Sequence, residues 1–233
     1  MRDRGNGGWP GRCGRRMLVL AAAELRLTTP LEIVTILTLL ALLPAALASL
    51  TPFLRITLVL HFLRQALGTQ TAPSNPVLLG LGLFLTLLVM QPVARELQAK
   101  ALEPYTKNEL TLAQALEAAH QPVQTFLLRF AREKDIQLFL DLTKTPPPKR
   151  PQDVELRVLM PAYVLSELRT GFQIGAVLFL PFLIIDLVVA SVTLSIGMVQ
   201  LPPVMVAAPF KILLFVLVDG WNLVIGSLMR SFQ

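Results

Sequence analysis

Three charged residues stand alone in apolar surroundings, and they are the side chains best placed to do chemistry. Asp186 lies midway along one hydrophobic stretch, and Lys211 and Asp219 interrupt the next. An ionised group in hydrocarbon is costly, so such residues pair, face water or line a pathway, and they mark functional positions by default. If one helix carries Lys211 and Asp219, their spacing sets them within about 80° of each other and about 12 Å apart along the axis. They could not bond directly, and each would need a partner on another helix, on another subunit or in water. Two chemistries fit these residues. They are struts between helices in an oligomer, or they form a polar path that relays protons.

Little else could react. His61 and His120 have no catalytic-looking carboxylate nearby; His61 reads as an interface residue and His120 as a surface residue. Cys13 is the single cysteine, which excludes an internal disulfide framework and a zinc cluster. P-loop, HExxH, CxxC and GxSxG patterns do not occur. Gly80 and Gly82 sit inside an apolar run and read as packing positions. Gly171 and Gly175 have the small-xxx-small spacing that lets membrane helices approach closely. An enzyme is not expected, nor is a cofactor or a bound metal.

The elements that must position these charges follow from composition. Of 233 residues, 54% are hydrophobic and 15% charged, and the mean hydropathy is +0.61. A soluble domain has roughly 45–50% apolar and about 25% charged residues, so an ordinary soluble enzyme is excluded and an integral membrane protein is expected. The net charge of +6 owes much to Arg2, Arg4, Arg12, Arg15, Arg16 and Arg26. No basic–aromatic interleaving accompanies it, so nucleic acid is not expected as a partner.

Charge is absent from 33–54 and from 65–94, returns over 95–169, and is then limited to the three residues above until 229. Segments near 31–54, 76–94, 170–200 and 204–229 each reach the roughly 20 apolar residues of a membrane helix. None alternates as a barrel strand would. The expected fold is therefore all-α and integral to the membrane. Residues 31–94 and 170–233 would form two kinked helical hairpins, with a small polar helical domain at 95–169 between them. Residues 1–30 read as a basic tail or a signal segment. Pro44, Pro52, Pro92, Pro181, Pro202, Pro203 and Pro209 lie in or beside the hydrophobic segments. Each removes a backbone hydrogen bond, so kinked helices packed against other helices are expected.

Within the polar segment, Thr111 and Gln114 fit a capping box. Val123, Phe126, Leu127 and Phe130 then share one helix face. Pro122 is expected to start that helix and Pro104 to end the one before it. Ile136, Phe139 and Leu140 predict a short helix, and Pro146, Pro147, Pro148, Lys149, Arg150 and Pro151 a stiff linker.

Several longer stretches resemble a known family. Arg64-Gln65-Ala66-Leu67-Gly68-Thr69-Gln70, with Pro73, Asn75 and Gly80, is similar to a signature of the flagellar biosynthetic FliP family, although Gln65 replaces the usual Asn and Thr71 the second Gln. Pro161-Ala162-Tyr163 and the run from Ser166-Glu167-Leu168-Arg169-Thr170 to Gly175 resemble a second motif. The runs from Leu180-Pro181 to Ser191 and from Pro209-Phe210-Lys211 to Leu223 match almost residue for residue, and Gly226-Ser227-Leu228 also fits. The resemblance covers roughly 31–232.

The resemblance implies a core subunit of the flagellar type III protein export gate in the bacterial inner membrane, at the flagellar basal body. Several copies would assemble as a homo-oligomer with FliQ and FliR into a helical, largely closed channel. FlhA and FlhB would act with it, and unfolded flagellar proteins would pass through it. The subunit would not be an enzyme. The SctR branch of virulence secretion systems has the same architecture and is one alternative; a small proton-coupled transporter is another. Arg64, Asp186, Lys211 and Asp219 are then the charged assembly or relay candidates.

One departure concerns the pore. Family members often carry consecutive methionines before a Pro-Pro pair, a flexible gasket. Here the stretch is Met198, Val199, Gln200, Leu201, Pro202 and Pro203, with one methionine retained. Met is unbranched and adaptable, as a seal requires. Met198, Val199, Gln200, Pro202 and Pro203 are the gate candidates. Topology adds a tension. The basic tail favours a cytoplasmic N-terminus, whereas the resemblance implies a periplasmic middle domain, with Arg55 and Arg64 on a cytoplasmic hairpin loop once the leader is gone.

Overall fold

A computed structural model of the chain describes residues 33–233 apart from 39, 43, 46, 47, 70, 149 and 198–201. The expectations for 1–30 lie outside the described residues, as do Met198, Val199 and Gln200 of the gate stretch. The chain divides into two units, Met1–Ala46 and Leu47–Gln233. In the first, the described residues from 33 to 45 are helical, and Thr38 Oγ1 donates back to the Val34 carbonyl at 2.8 Å.

The second unit is built of helices throughout its described regular structure. Helix α1 spans Phe53–Ala66 and is followed by a loop to Ser74. Helix α2, Asn75–Leu97, continues through a π-type turn at Gln98–Leu102 into α3, Glu103–Thr106. Helix α4 is Leu112–Phe130 and α5 is Glu133–Thr143; a 3-10 turn at Pro151–Asp153 leads into α6, the 40-residue helix Leu156–Ser195. Helices α7, Pro203–Leu217, and α8, Gly220–Arg230, complete the unit. Among the described residues, two continuous helical stretches, Asn75–Thr106 and Leu156–Ser195, are long and apolar enough to cross a membrane. The pair α7 and α8 would make a third span if taken together, but it is bent by 69°.

Several boundaries differ from the sequence-based expectation. Thr111 does cap α4, with the reciprocal Thr111–Gln114 capping box formed. Pro122, however, lies inside α4 rather than at its start. The capping box supplies the start, and the helix tolerates one missing hydrogen bond where Pro122 is buried. Pro104 lies near the end of the continuous stretch Asn75–Thr106, two residues before it stops. Helix α6 begins fourteen residues before the hydrophobic segment expected at 170, since Arg157, Glu167 and Arg169 mark where polar partners begin and not where the helix does. Arg55 is not on a hairpin loop. It is buried inside α1, so it gives no evidence on topology.

Helix α1 lies at the centre. Ile56, Val59 and Leu60 pack with Leu78 and Leu85 of α2 and Leu228 of α8. Leu63, Ala66 and Leu67 pack with Phe182 of α6 and Phe215 of α7. A third cluster joins Val93 of α2 to Phe126 and Leu127 of α4, Leu140 of α5 and Val158, Leu159 and Tyr163 of α6. The polar stretch is therefore seated on the apolar helices through a shared core. Close approach of α1 and α6 depends on two glycines. A Cβ on Gly171 would come within 2.8 Å of Leu58, and one on Gly175 would collide with the Phe62 ring.

Along its second half, α6 buries one stripe only. Phe182 and Thr193 are buried, while Val177, Leu180, Leu183, Ile184, Leu187 and Val188 are exposed. Helix α2 has a similar outer face in Val77, Leu83, Phe84, Leu87 and Leu88, and α7 has one in Met205, Leu213, Val216 and Leu217.

Candidate functional site

The charged candidates fall into three places. Lys211, in the middle of α7, points at α6, where its Nζ lies 2.6 Å from Asp186 Oδ2. The pair ties α6 to α7. Lys211 is almost wholly buried and Asp186 partly exposed, with side-chain exposures of 2% and 27%. Asp186 Oδ1 is buried and has no hydrogen-bond partner among the described residues.

Asp219 is not on the same helix as Lys211, so the shared-face geometry expected for the two is overturned. Helix α7 ends at Leu217, and Asp219 takes a left-handed conformation, φ 52° and ψ 51°, before α8 begins. One residue in this conformation redirects the chain, and Asp is among the few side chains that adopt it at modest cost. Its Oδ2 accepts from Asn222 Nδ2 at 3.2 Å. Gly220 follows because a Cβ there would strike the Phe215 ring.

Arg64 sits at the end of α1, half-buried, where its Nη1 donates to Asn75 Oδ1 at the start of α2. It fastens the loop between these helices. Within that loop Gly68 has φ +72°, and a Cβ on it would lie 3.6 Å from Ala208 of α7. Pro202 precedes α7 and Pro203 is its first residue, a position suited to proline.

The sequence reading missed the most buried ion pair. Arg55 Nε donates to Glu167 Oε2 at 2.9 Å, and its Nη2 donates to Glu167 Oε1. Its remaining nitrogen, Nη1, donates to the Ser231 carbonyl at 3.1 Å and to Ser231 Oγ at 3.2 Å. The guanidinium also lies over the rings of Phe232 (4.2 Å) and Phe130 (5.6 Å). A bidentate pair with these extra bonds is the geometry that offsets the desolvation of two charges. Next to it, Ser166 Oγ donates to Asp135 Oδ2 at 2.7 Å and accepts from the Arg132 backbone N–H at 2.9 Å. Arg169 Nη1 reaches Asp135 Oδ1 at 3.3 Å. Arg132 Nη2 donates to Gln173 Oε1 at 2.6 Å and to Thr170 Oγ1 at 3.2 Å.

The motif from Ser166 to Gln173 is thus the polar belt of α6. Glu167 holds α1, and Ser166, Arg169, Thr170 and Gln173 hold the start of α5. Arg55, one of two charges between two apolar runs, was the available signal for this belt, but its partner lies 112 residues away in sequence.

These features define a class: an all-helical protein with helices long and apolar enough to cross a membrane, cross-braced by buried ion pairs. The FliP family model matches residues 36–228, and the chain belongs to the FliP family. It is 51% identical over 205 residues to the flagellar biosynthetic protein FliP of Pectobacterium carotovorum subsp. carotovorum, covering 88% of this chain and 80% of that one. It is 46% identical to the protein of the same name from Bacillus subtilis (strain 168), covering 88% and 93%, and 41% identical to that of Aquifex aeolicus (strain VF5), covering 92% and 90%.

Proposed function

We propose that this chain is a core subunit of the flagellar type III export gate. Several copies assemble with FliQ and FliR in the bacterial inner membrane, within the flagellar basal body. FlhA and FlhB act beside that assembly, and unfolded flagellar proteins pass through it. In this reading the hydrophobic segments form two bent hairpins, Pro202 and Pro203 shape the approach to the pore, and Met198, Val199 and Gln200 contribute to its seal. The chain's role is structural and conductive, not catalytic.

The observation that carries the reading is the one-sided packing of α6. The second half of the 40-residue α6 buries a single stripe and leaves a long apolar face uncovered, and α2 and α7 have similar outer faces. Apolar faces of this extent are surfaces for lipid or for other helices. Membership of the FliP family favours other helices of a multi-subunit gate. The flagellar names of the relatives favour flagellar over virulence cargo. A proton relay is less well supported, because Lys211 is held by Asp186 while Asp219 turns the chain at the α7–α8 break.

Deletion of the gene, with complementation, tests this function. The deletion strain is expected to stop secreting hook and filament proteins into the medium, and the intact gene to restore them. Normal secretion in the deletion strain would contradict the reading.

A further inference from the structure

The turn that follows α8 is held by more than its own helix. Ser231 and Phe232 enter a slot between α1, α2 and α4. The Phe232 ring is buried there, edge-on to Phe130 with centroids 5.6 Å apart. It lies under the Arg55 guanidinium, which also bonds the Ser231 carbonyl and hydroxyl. On the other side, Arg129 Nη2 donates to the Gln233 carbonyl at 2.7 Å. Two cations therefore meet carbonyls at the negative end of α8, where the helix dipole favours them. Phe232 also borders a cleft of about 170 Å³ together with Val89, Val93, Phe126 and Phe130.

Arg55 does two things at once. Nε and Nη2 face Glu167 on α6, and Nη1 faces the turn. A guanidinium is a rigid planar fork, so fixing two of its nitrogens fixes the direction of the third. Glu167 is fully buried and makes no hydrogen bond to Ser231, Phe232 or Gln233.

We propose that the Ser231–Phe232 turn is a latch fastening α8 to α1, α2 and α4, and that Glu167 sets the catch through Arg55. Glu167 is a positioning residue. Without its charge the guanidinium is free to turn, and the end of α8 is released although none of its own contacts has been altered. The packing of α6 on α1 and the docking of α8 are thereby coupled.

Hydrogen exchange on the full chain in detergent, comparing Glu167→Gln, Glu167→Asp and Phe232→Ala with the parent, tests the latch. The readout is the pair of amides bonded within the turn, Ser231 to Ser227 and Phe232 to Met229. Glu167→Gln is expected to speed their exchange by about tenfold or more, as Phe232→Ala does, while Leu127 and Leu140 stay protected. Glu167→Asp, which keeps the charge, is expected to retain more protection than Glu167→Gln. Unchanged exchange of the two amides in a folded Glu167→Gln protein would overturn the proposal. If Glu167→Gln loosens the whole chain, Glu167→Asp decides: loss confined to the turn supports the latch, and loss spread over the chain overturns it.

Discussion

Asp186 and Lys211 are unequal partners. Their charged atoms lie 2.6 Å apart, but the lysine is enclosed while the aspartate side chain is partly exposed. Removing one partner of a buried pair leaves the other as an uncompensated charge, and the penalty depends on how well that survivor can be hydrated. Asp186→Asn strands the enclosed ammonium and is expected to destabilise the chain by about 3–5 kcal/mol. Lys211→Met strands the more accessible carboxylate and is expected to cost less, about 1–3 kcal/mol. The double variant should recover part of the larger loss. Thermal unfolding of the three proteins in one detergent checks the order.

The Arg55–Glu167 pair depends on the shape of the cation as well as its charge. Lysine cannot make two parallel bonds to a carboxylate and still reach Ser231, so Arg55→Lys is expected to cost about 2–3 kcal/mol. The half-exposed Glu96–Lys100 pair, with 3.1 Å between charged atoms, is the control. Lys100→Ala is expected to change stability by less than about 0.5 kcal/mol. Denaturant unfolding compares the two.

Two glycines in apolar helices should respond in opposite ways. Gly175→Ala drives a methyl into the Phe62 ring and separates α6 from α1, at a cost of about 1–3 kcal/mol. Nothing lies within 4 Å of a Cβ placed on Gly80 in α2, so Gly80→Ala is expected to stabilise the isolated chain by up to about 1 kcal/mol through helix propensity. Melting temperatures of the two variants, measured together, carry the test.

The break between α7 and α8 rests on the backbone of Asp219. Asp219→Asn and Asp219→Gly should be tolerated, because both residues accept a left-handed conformation. Asp219→Val should lose about 1–2 kcal/mol and straighten the pair. A distance between spin labels on α7 and α8 reports the bend, which stands at 69°. An unchanged distance in the valine variant would count against this cause.

Much of the fold could be read from the sequence because local physics wrote it there. The charge-free run 65–94 located α2, and Thr111 with Gln114 announced the start of α4, whereas α1 falls between two such runs because its Arg55 and Arg64 find partners inside the protein. The apolar stripe Phe126 and Leu127 is buried in the core with Val123 and Phe130 packed against it. What escaped was tertiary. The boundary expected near residue 170 dissolved because Glu167 and Arg169 find their partners, Arg55 and Asp135, on other helices. A charge that looks like a helix end in sequence is a cross-brace once its partner is known. The α7–α8 bend escaped for a different reason. Prolines drew attention, yet Pro92, Pro181 and Pro209 all lie within continuous helices, and the chain turns at an aspartate.

The central claim, that this chain is one of several copies in an export gate, is tested most directly by mass. Co-expression with FliQ and FliR from the same genome, extraction in mild detergent and native mass spectrometry would weigh the assembly. The account predicts one discrete complex that holds several copies of this chain together with both partners. A monomer or simple homodimer that ignores FliQ and FliR would contradict it.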